Sequence, residues 1–415
     1  MKPARAAAPE PGARVIRRRP KNRRSQIAEV AATAFAELGY HGVSMEDIAA
    51  RLDVSSAALY RHYPSKHALF AEELLRLGAA TVAAATLPPA AASWPPDRRL
   101  DLAIEGIVSG TIANRPTVAL TRWETRYLAE PERLTLERCF ATAITLLSGL
   151  IGEVRPELTD RERRVRAVGM FSAVSSVGDH RAVLAVKSMK ALLKSMCWTM
   201  ATMELRTPPP PAAVTQAPVR AGLKHELLLQ QAIHLFYERG YPNVTVEDIA
   251  AASGLPAASA VYRYFRGKGD LLTAAFRRVS DRMSVAIGAA ITDTAGPAEA
   301  LSALVRVYAT GAFADRELAY VYYADFSHLP PEELTPLTTV HRLVVDEWAR
   351  LLLAVRPELT QAEAQILVHA TLGMVVDYGR VFGDDERACP LPWVIELMRS
   401  ALFGRGEPAS PGVRT

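Results

Sequence analysis

Apolar residues recur along this chain with a helical period. Ile27, Val30, Ala31, Ala34, Phe35 and Leu38 fall at intervals of 0, 3, 4, 7, 8 and 11, which puts them on one face of a helix. Gly39 follows as a C-terminal stop. Ser44 opens a second helix, and Asp47, three residues on, completes an acidic capping box. Ile48, Ala49 and Leu52 supply that helix's buried face, and Asp53-Val54-Ser55 reads as a tight turn. Ser55 is the expected N-cap of a third, short helix with Leu59 inward and Ser56, Ala57, Tyr60 and Arg61 outward. Pro64-Ser65 breaks the chain again, and a fourth helix runs through Leu69, Phe70, Leu74 and Leu75. The rest shows amphipathic helical patterning without strand-like alternation, so the fold class is all-α.

The pattern occurs twice. GYHGVSMEDIAA at 39–50 and GYPNVTVEDIAA at 240–251 agree at eight of twelve positions, offset by 201 residues. RPELT at 155–159 returns at 356–360 with the same offset. A repeat this long means two complete copies of a domain. Between them, residues 207–219 read TPPPPAAVTQAPV, a proline-rich spacer without charge. The chain therefore divides into an arm (1–21), a first module (22–74 and 75–206), a linker (207–219), a second module (220–276 and 277–403) and a tail (404–415).

Charge sharpens this picture at one end. Residues 1–24 hold nine basic residues against Glu10 alone, a surplus of eight. The whole chain carries +5, so the remaining 391 residues sum to −3. Arg17, Arg18, Arg19, Lys21, Arg23 and Arg24 form the dense part of a basic arm suited to nucleic acid phosphates. Cys139, Cys197 and Cys389 are too few and too scattered for a disulfide framework or a zinc site. The N-terminus lacks the apolar run of an export signal, and the longest uncharged stretch, 77–96, is broken by prolines. We expect a cytoplasmic protein with no membrane span, metal or cofactor.

Three short helices with a tight turn between the second and third form a helix-turn-helix, which sets the start of the third helix in a DNA major groove. Small side chains at Ser56 and Ala57 allow close approach, and Tyr60, Arg61 and His62 can reach phosphates or base edges. The run TAFAELGYHGVSMEDIAARLDVSSAALYRHYPSKHALF resembles the signature of the TetR family of regulators. The resemblance implies phosphate contacts by Ser44 and Lys66 in the first copy and by Thr245 and Lys268 in the second, with Tyr60 and Tyr262 on the backbone. The second copy departs from the pattern. Tyr262-Arg263 matches Tyr60-Arg61 at an offset of 202, so one residue has entered before Tyr262, and Pro256 stands where Ser55 would cap. Its reading face is then Ala257, Ser259, Tyr262 and Arg263. An extra residue inside the helix turns the preceding residues by about 100°; one absorbed in the turn leaves docking unchanged.

By the same resemblance, 75–206 and 277–403 are helical ligand-binding and dimerising domains. Their last helices, near 161–178 with 183–204 and 361–380 with 390–403, correspond to the family's dimerising pair. The covalent link raises the effective concentration of the second copy, so an intramolecular pseudo-dimer is expected, with pairing of two chains as the alternative. Intramolecular pairing implies an imperfect or asymmetric double-stranded operator, and the resemblance implies a repressor released by a small apolar effector. Polar groups on apolar helices suggest effector contacts at Arg122, Trp123, Arg126, Tyr322, Tyr323, His341 and Tyr378. The alternative is a regulator in which only the first copy binds DNA and the second is a fused sensing partner. Motifs of hydrolases, metalloproteases and nucleotide-binding enzymes are missing from the sequence, which argues against an enzyme.

Overall fold

The computed structural model describes residues 23–205, 224–383, 385 and 387–404. Arg17, Arg18, Arg19, Lys21, the linker at 207–219 and tail residues 405–415 lie outside the described residues. Every described regular element is helical. The first module contains α1 (Arg23–Leu38), α2 (Met45–Arg51), α3 (Ser56–Tyr60), α4 (Lys66–Ala85), α5 (Pro96–Ala113), α6 (Arg115–Trp123), α7 (Glu130–Val154), α8 (Asp160–Ser175) and α9 (Val186–Thr202). The second contains α10 (Lys224–Arg239), α11 (Val246–Ala252), a 3-10 helix (Ala258–Arg263), α12 (Lys268–Asp293), α13 (Pro297–Ala314), α14 (Arg316–Ala324), α15 (Pro331–Val355), α16 (Gln361–Phe382) and α17 (Leu391–Phe403). Short 3-10 segments at Thr125–Tyr127 and Phe326–His328 follow α6 and α14.

Local chemistry explains the boundaries. Ser44 and Thr245 each accept the N–H of an aspartate three residues on, and that aspartate returns the bond, so both second helices start on full capping boxes. Gly39 and Gly240 end α1 and α10 at φ of 73° and 79°, a backbone state that a side chain would strain. The repeated RPELT has a purpose that its sequence alone does not reveal. Its threonines cap α8 and α16, and its arginines tie the preceding loop to the far end of the bundle: Arg155 donates to Thr202 O, and Arg356 to Leu402 O at 2.9 Å.

Each helix-turn-helix head has its own core, built around Phe35, Ile48, Leu59 and Phe70 in the first and Phe236, Ile249, Val261 and Phe276 in the second. The two regulatory halves share a single continuous core. α8 lies against α16 and α9 against α17, so the last two helices of each module form a four-helix layer across the seam. α8 and α16 meet tightly at Gly169 on α8. The buried Tyr378 hydroxyl reaches past it to donate to Val165 O at 2.8 Å, and a Cβ at Gly169 would lie 2.4 Å from that hydroxyl. Two stretches, 66–93 and 130–154, are long and apolar enough to cross a membrane by length and composition; here they form α4 with the turn after it, and α7.

Leucine at position 169 must push α8 and α16 apart. Gly169→Leu is expected to cost about 1–3 kcal/mol and to speed amide exchange in α8 and α16. Gly149→Leu, whose Cβ meets nothing within 4 Å, is the control. Equal stability of the two variants in denaturant titration would contradict the packing described.

Candidate nucleic-acid interface

The exposed residues of each third helix lie together on one surface. In the first head Ser55, Ala57, Tyr60, Arg61 and His62 are exposed, Ser56 is half-buried, and Leu59 anchors the helix in the core. Ser55 occupies the N-cap position but makes no side-chain cap bond, contrary to the expected cap. The turn is closed instead by Asp53 at φ 52° and by the Val54 N–H donating to Ala49 O.

In the second head the extra residue is absorbed by the turn. Leu255 N donates to Ala250 O just as Val54 does to Ala49, and Ala260 N to Ala257 O as Ala58 does to Ser55. The added residue thus lies between Leu255 and Ala257. Pro256 neither caps nor opens the helix, which corrects the expectation; Ala257 takes the N-cap place without a side-chain bond. The following segment is a 3-10 helix, not an α-helix. Ala257, Ser259, Tyr262 and Arg263 are exposed, and so is Tyr264, which sequence reasoning missed. Its signal was available: Val261 and Phe265 are the buried apolar pair, and Tyr264 lies between them.

The lysines have partners within their own heads. Lys66 Nζ donates to Tyr40 O and Val43 O at 2.9 Å each and lies 4.4 Å from the Tyr40 ring centroid. Lys268 repeats this on Tyr241 O, Val244 O and the Tyr241 ring. Burial holds both ammonium groups below the usual lysine range. Each lysine therefore fastens the fourth helix of its head to the loop before the second helix, with part of its donor capacity already spent. Arg24 is also committed: it forms a bidentate pair with Glu72 and stacks over Tyr63 at 4.7 Å. Arg23 is on the surface of α1, with Gln26 as its partner at 3.4 Å.

Behind the heads lies a buried polar node. Tyr40 of head one stacks on Tyr127 with ring centroids 5.6 Å apart, and Tyr241 of head two meets His328 at 5.4 Å. Arg126 forms a bidentate pair with Asp325 across the seam and also donates to Phe236 O at the end of α10. Arg122 bridges Asp179 of its own module and Asp377 of the other. Trp123 Nε1 donates to Asp179 at 2.7 Å. The last carbonyls of α6 are satisfied from the second module: Arg122 O accepts from Arg380 at 2.7 Å, and Trp123 O from Tyr320 at 3.2 Å. Arg122, Trp123, Arg126 and Tyr378, expected as effector contacts, lie at the seam between the modules; both arginines line a cleft there, and the Nε of each has no hydrogen-bond partner among the described residues. Only Tyr322, Tyr323 and His341 of that set line the 630 Å³ apolar cavity inside module two.

A family model for bacterial regulatory proteins of the tetR family matches residues 27–72 and 228–275. The chain is a TetR-family transcriptional regulator with two tandem modules. Its paired heads are the helix-turn-helix DNA-binding domains of that family. Solved structures similar to the chain include a TetR-family transcriptional regulator from Bordetella parapertussis, 18% identical, covering 45% of this chain and 98% of its own at a TM-score of 0.41. A tetR-family regulatory protein from Rhodococcus RHA1 is 23% identical over 44% of this chain and 97% of its own, at 0.37. The fatty acid degradation regulator FadR from Bacillus halodurans is 23% identical over 44% and 98%, also at 0.37.

Two carboxyls of the TetR node are displaced upwards by burial: Asp179, pushed up to about 6 against the pull of Arg122, and Glu124. Glu124 is buried against Gly39, and one of its oxygens has no hydrogen-bond partner among the described residues. Burial raises its pKa from 4.5 to about 7, although Arg126 and His328 favour the anion; Asp325 reinforces the rise. Between those values the folded chain holds a proton that the unfolded chain has released, so stability falls as pH rises through that window. The contribution is roughly 3 kcal/mol. Glu124→Gln should flatten the pH dependence of the melting temperature between pH 4.5 and 7. An unchanged slope would show that the carboxyl is ionised throughout.

Proposed function

We propose that this chain acts as a TetR dimer does, but in one molecule, with both heads on a single operator of two unlike half-sites. The shared core of the regulatory halves carries this reading, because it leaves the last two helices of each module already partnered. The proline-rich linker keeps the two modules at high effective concentration. The heads present different exposed sets, so each half-site sees different chemistry, and an asymmetric sequence follows.

The effector site in this reading is the module-two cavity. α12 lines it with Val279, Ser280 and Met283, while the first residue of the same helix, Lys268, clamps head two. A ligand pressing on α12 therefore moves the head, and release from DNA follows, which makes the chain a repressor. Ser280 presents a buried hydroxyl near Tyr322, and the Tyr322 hydroxyl lies 3.2 Å from His341 Nδ1. Burial pushes the histidine's pKa down and the tyrosines' up, so this polar end is neutral. The effector is then a small, uncharged, largely apolar molecule with one hydrogen-bonding group. In module one, α4 presses directly on α7 at Gly78 and α5 meets Ala84 O at Gly106. Ser280 and Val307 occupy the equivalent places in module two.

A ring stack connects the cavity to module one. His341 lies 6.1 Å from His369, and His369 stacks on His180 at 4.8 Å. Arg115, the first residue of α6, donates to the His180 carbonyl. Head one rests on α6, so the stack offers a route from the effector to the other head.

A second reading, in which only head one reads bases, is favoured by the 3-10 form of the second reading helix. Paired substitutions separate the two. Tyr60→Ala with Arg61→Ala, and Tyr262→Ala with Arg263→Ala, should each weaken operator binding at least about tenfold. Loss from the first pair alone would establish the second reading, and loss from neither would overturn both.

A further inference from the structure

A second cleft, of 700 Å³, opens on the seam between the modules. Its apolar floor comes from module one: Phe140 and Ile144 on α7, Val168 and Phe171 on α8. Its facing wall comes from module two and includes Tyr237 and Glu238, near the end of the first helix of head two. Its chemistry is opposite to that of the module-two cavity. Five arginines line it against three carboxylates, Glu137, Glu238 and Asp377.

Most of these cations are already balanced. Arg122 is offset by Asp179 and Asp377, Arg126 by Asp325, and Arg133 by Glu137. Two are not. Arg380 donates to Arg122 O and stands 3.7 Å from Asp377, which Arg122 and Ser172 already share. Arg164 is exposed and has no ion-pair partner among the described residues; its nearest described ring, Phe382, is 6.0 Å from the guanidinium. An apolar floor beside an unbalanced guanidinium is what an apolar molecule with one anionic group requires.

We propose that the seam cleft is a second ligand site, for an anionic amphiphile, distinct from the neutral-effector cavity of module two. Its occupant touches α7 and α8 of one module and α10 of the other, so it ties the placement of head two to the regulatory half of module one. The coupling is reciprocal: DNA on head two must change affinity at the cleft by the same factor.

The test uses the full chain, with octanoate and octan-1-ol as probes followed by calorimetry. Gly311→Phe plugs the module-two cavity, because a Cβ at Gly311 meets nothing within 4 Å and the residue lines that space. Octanoate should bind Gly311→Phe as it binds the unaltered chain. Arg164→Glu should weaken octanoate about fivefold and leave octan-1-ol unchanged; Arg164→Gln should fall between. Loss of octanoate binding in Gly311→Phe would place the anion in the module-two cavity and overturn the proposal. So would an unchanged octanoate affinity in Arg164→Glu, an equal loss for the alcohol, or no octanoate binding to the unaltered chain. Octan-1-ol binding that survives Gly311→Phe counts against the module-two effector site and leaves the seam site standing.

Discussion

A charge taken out of water must find its counter-charge, and this chain has placed the two partners in different modules. The side chains of Arg126 and Asp325 are both buried and form a bidentate pair across the seam. Arg122 shares its charge between Asp179 and Asp377. Such pairs add little net stability over an apolar contact, because desolvation consumes most of the attraction. Separating them is another matter, since each half would strand a buried ion. The pairs therefore act on register: they admit one way of joining the modules and penalise the rest. The head-bearing helices, the aromatic node beneath the heads and the four-helix layer all follow from that fixed register.

Duplication within one chain frees the copies from symmetry. In a homodimer every position serves twice, so a change that opens a cavity opens two. Here Gly78 lets α4 close on α7 in module one, while Ser280 takes the equivalent place on α12 and a cavity opens beside it in module two. Arg122 and Tyr323 are equivalents, yet one carries the seam ion pairs and the other lines a cavity and stacks on Trp123 at 5.0 Å. The same freedom has reached the DNA side, where α3 and the 3-10 helix at Ala258–Arg263 are no longer alike.

Local rules made much of this legible beforehand. The spacing of Ile27 to Leu38, the Ser44–Asp47 and Thr245–Asp248 boxes and the glycine stops at 39 and 240 needed only neighbours in sequence. The all-α class and the repeat were equally plain. What stayed hidden depended on partners far along the chain. Arg122 and Arg126 stood out as polar groups on an apolar helix, and their burial is real, but their partners at Asp377 and Asp325 lie 255 and 199 residues away. Sequence likewise does not show that Tyr40, Val43, Tyr241 and Val244 turn their carbonyls towards Lys66 and Lys268. The extra residue before Tyr262 could be counted but not placed, since only the hydrogen bonds of Leu255 and Ala260 locate it in the turn.

In the proposed mode of binding one chain supplies both heads to one operator. Native mass spectrometry of the protein on its footprinted duplex measures this directly. The expected species is a complex of one 45.2 kDa chain with one duplex, still seen when protein is in excess. A complex holding two chains on a palindromic duplex, with no single-chain species at any ratio, would contradict it.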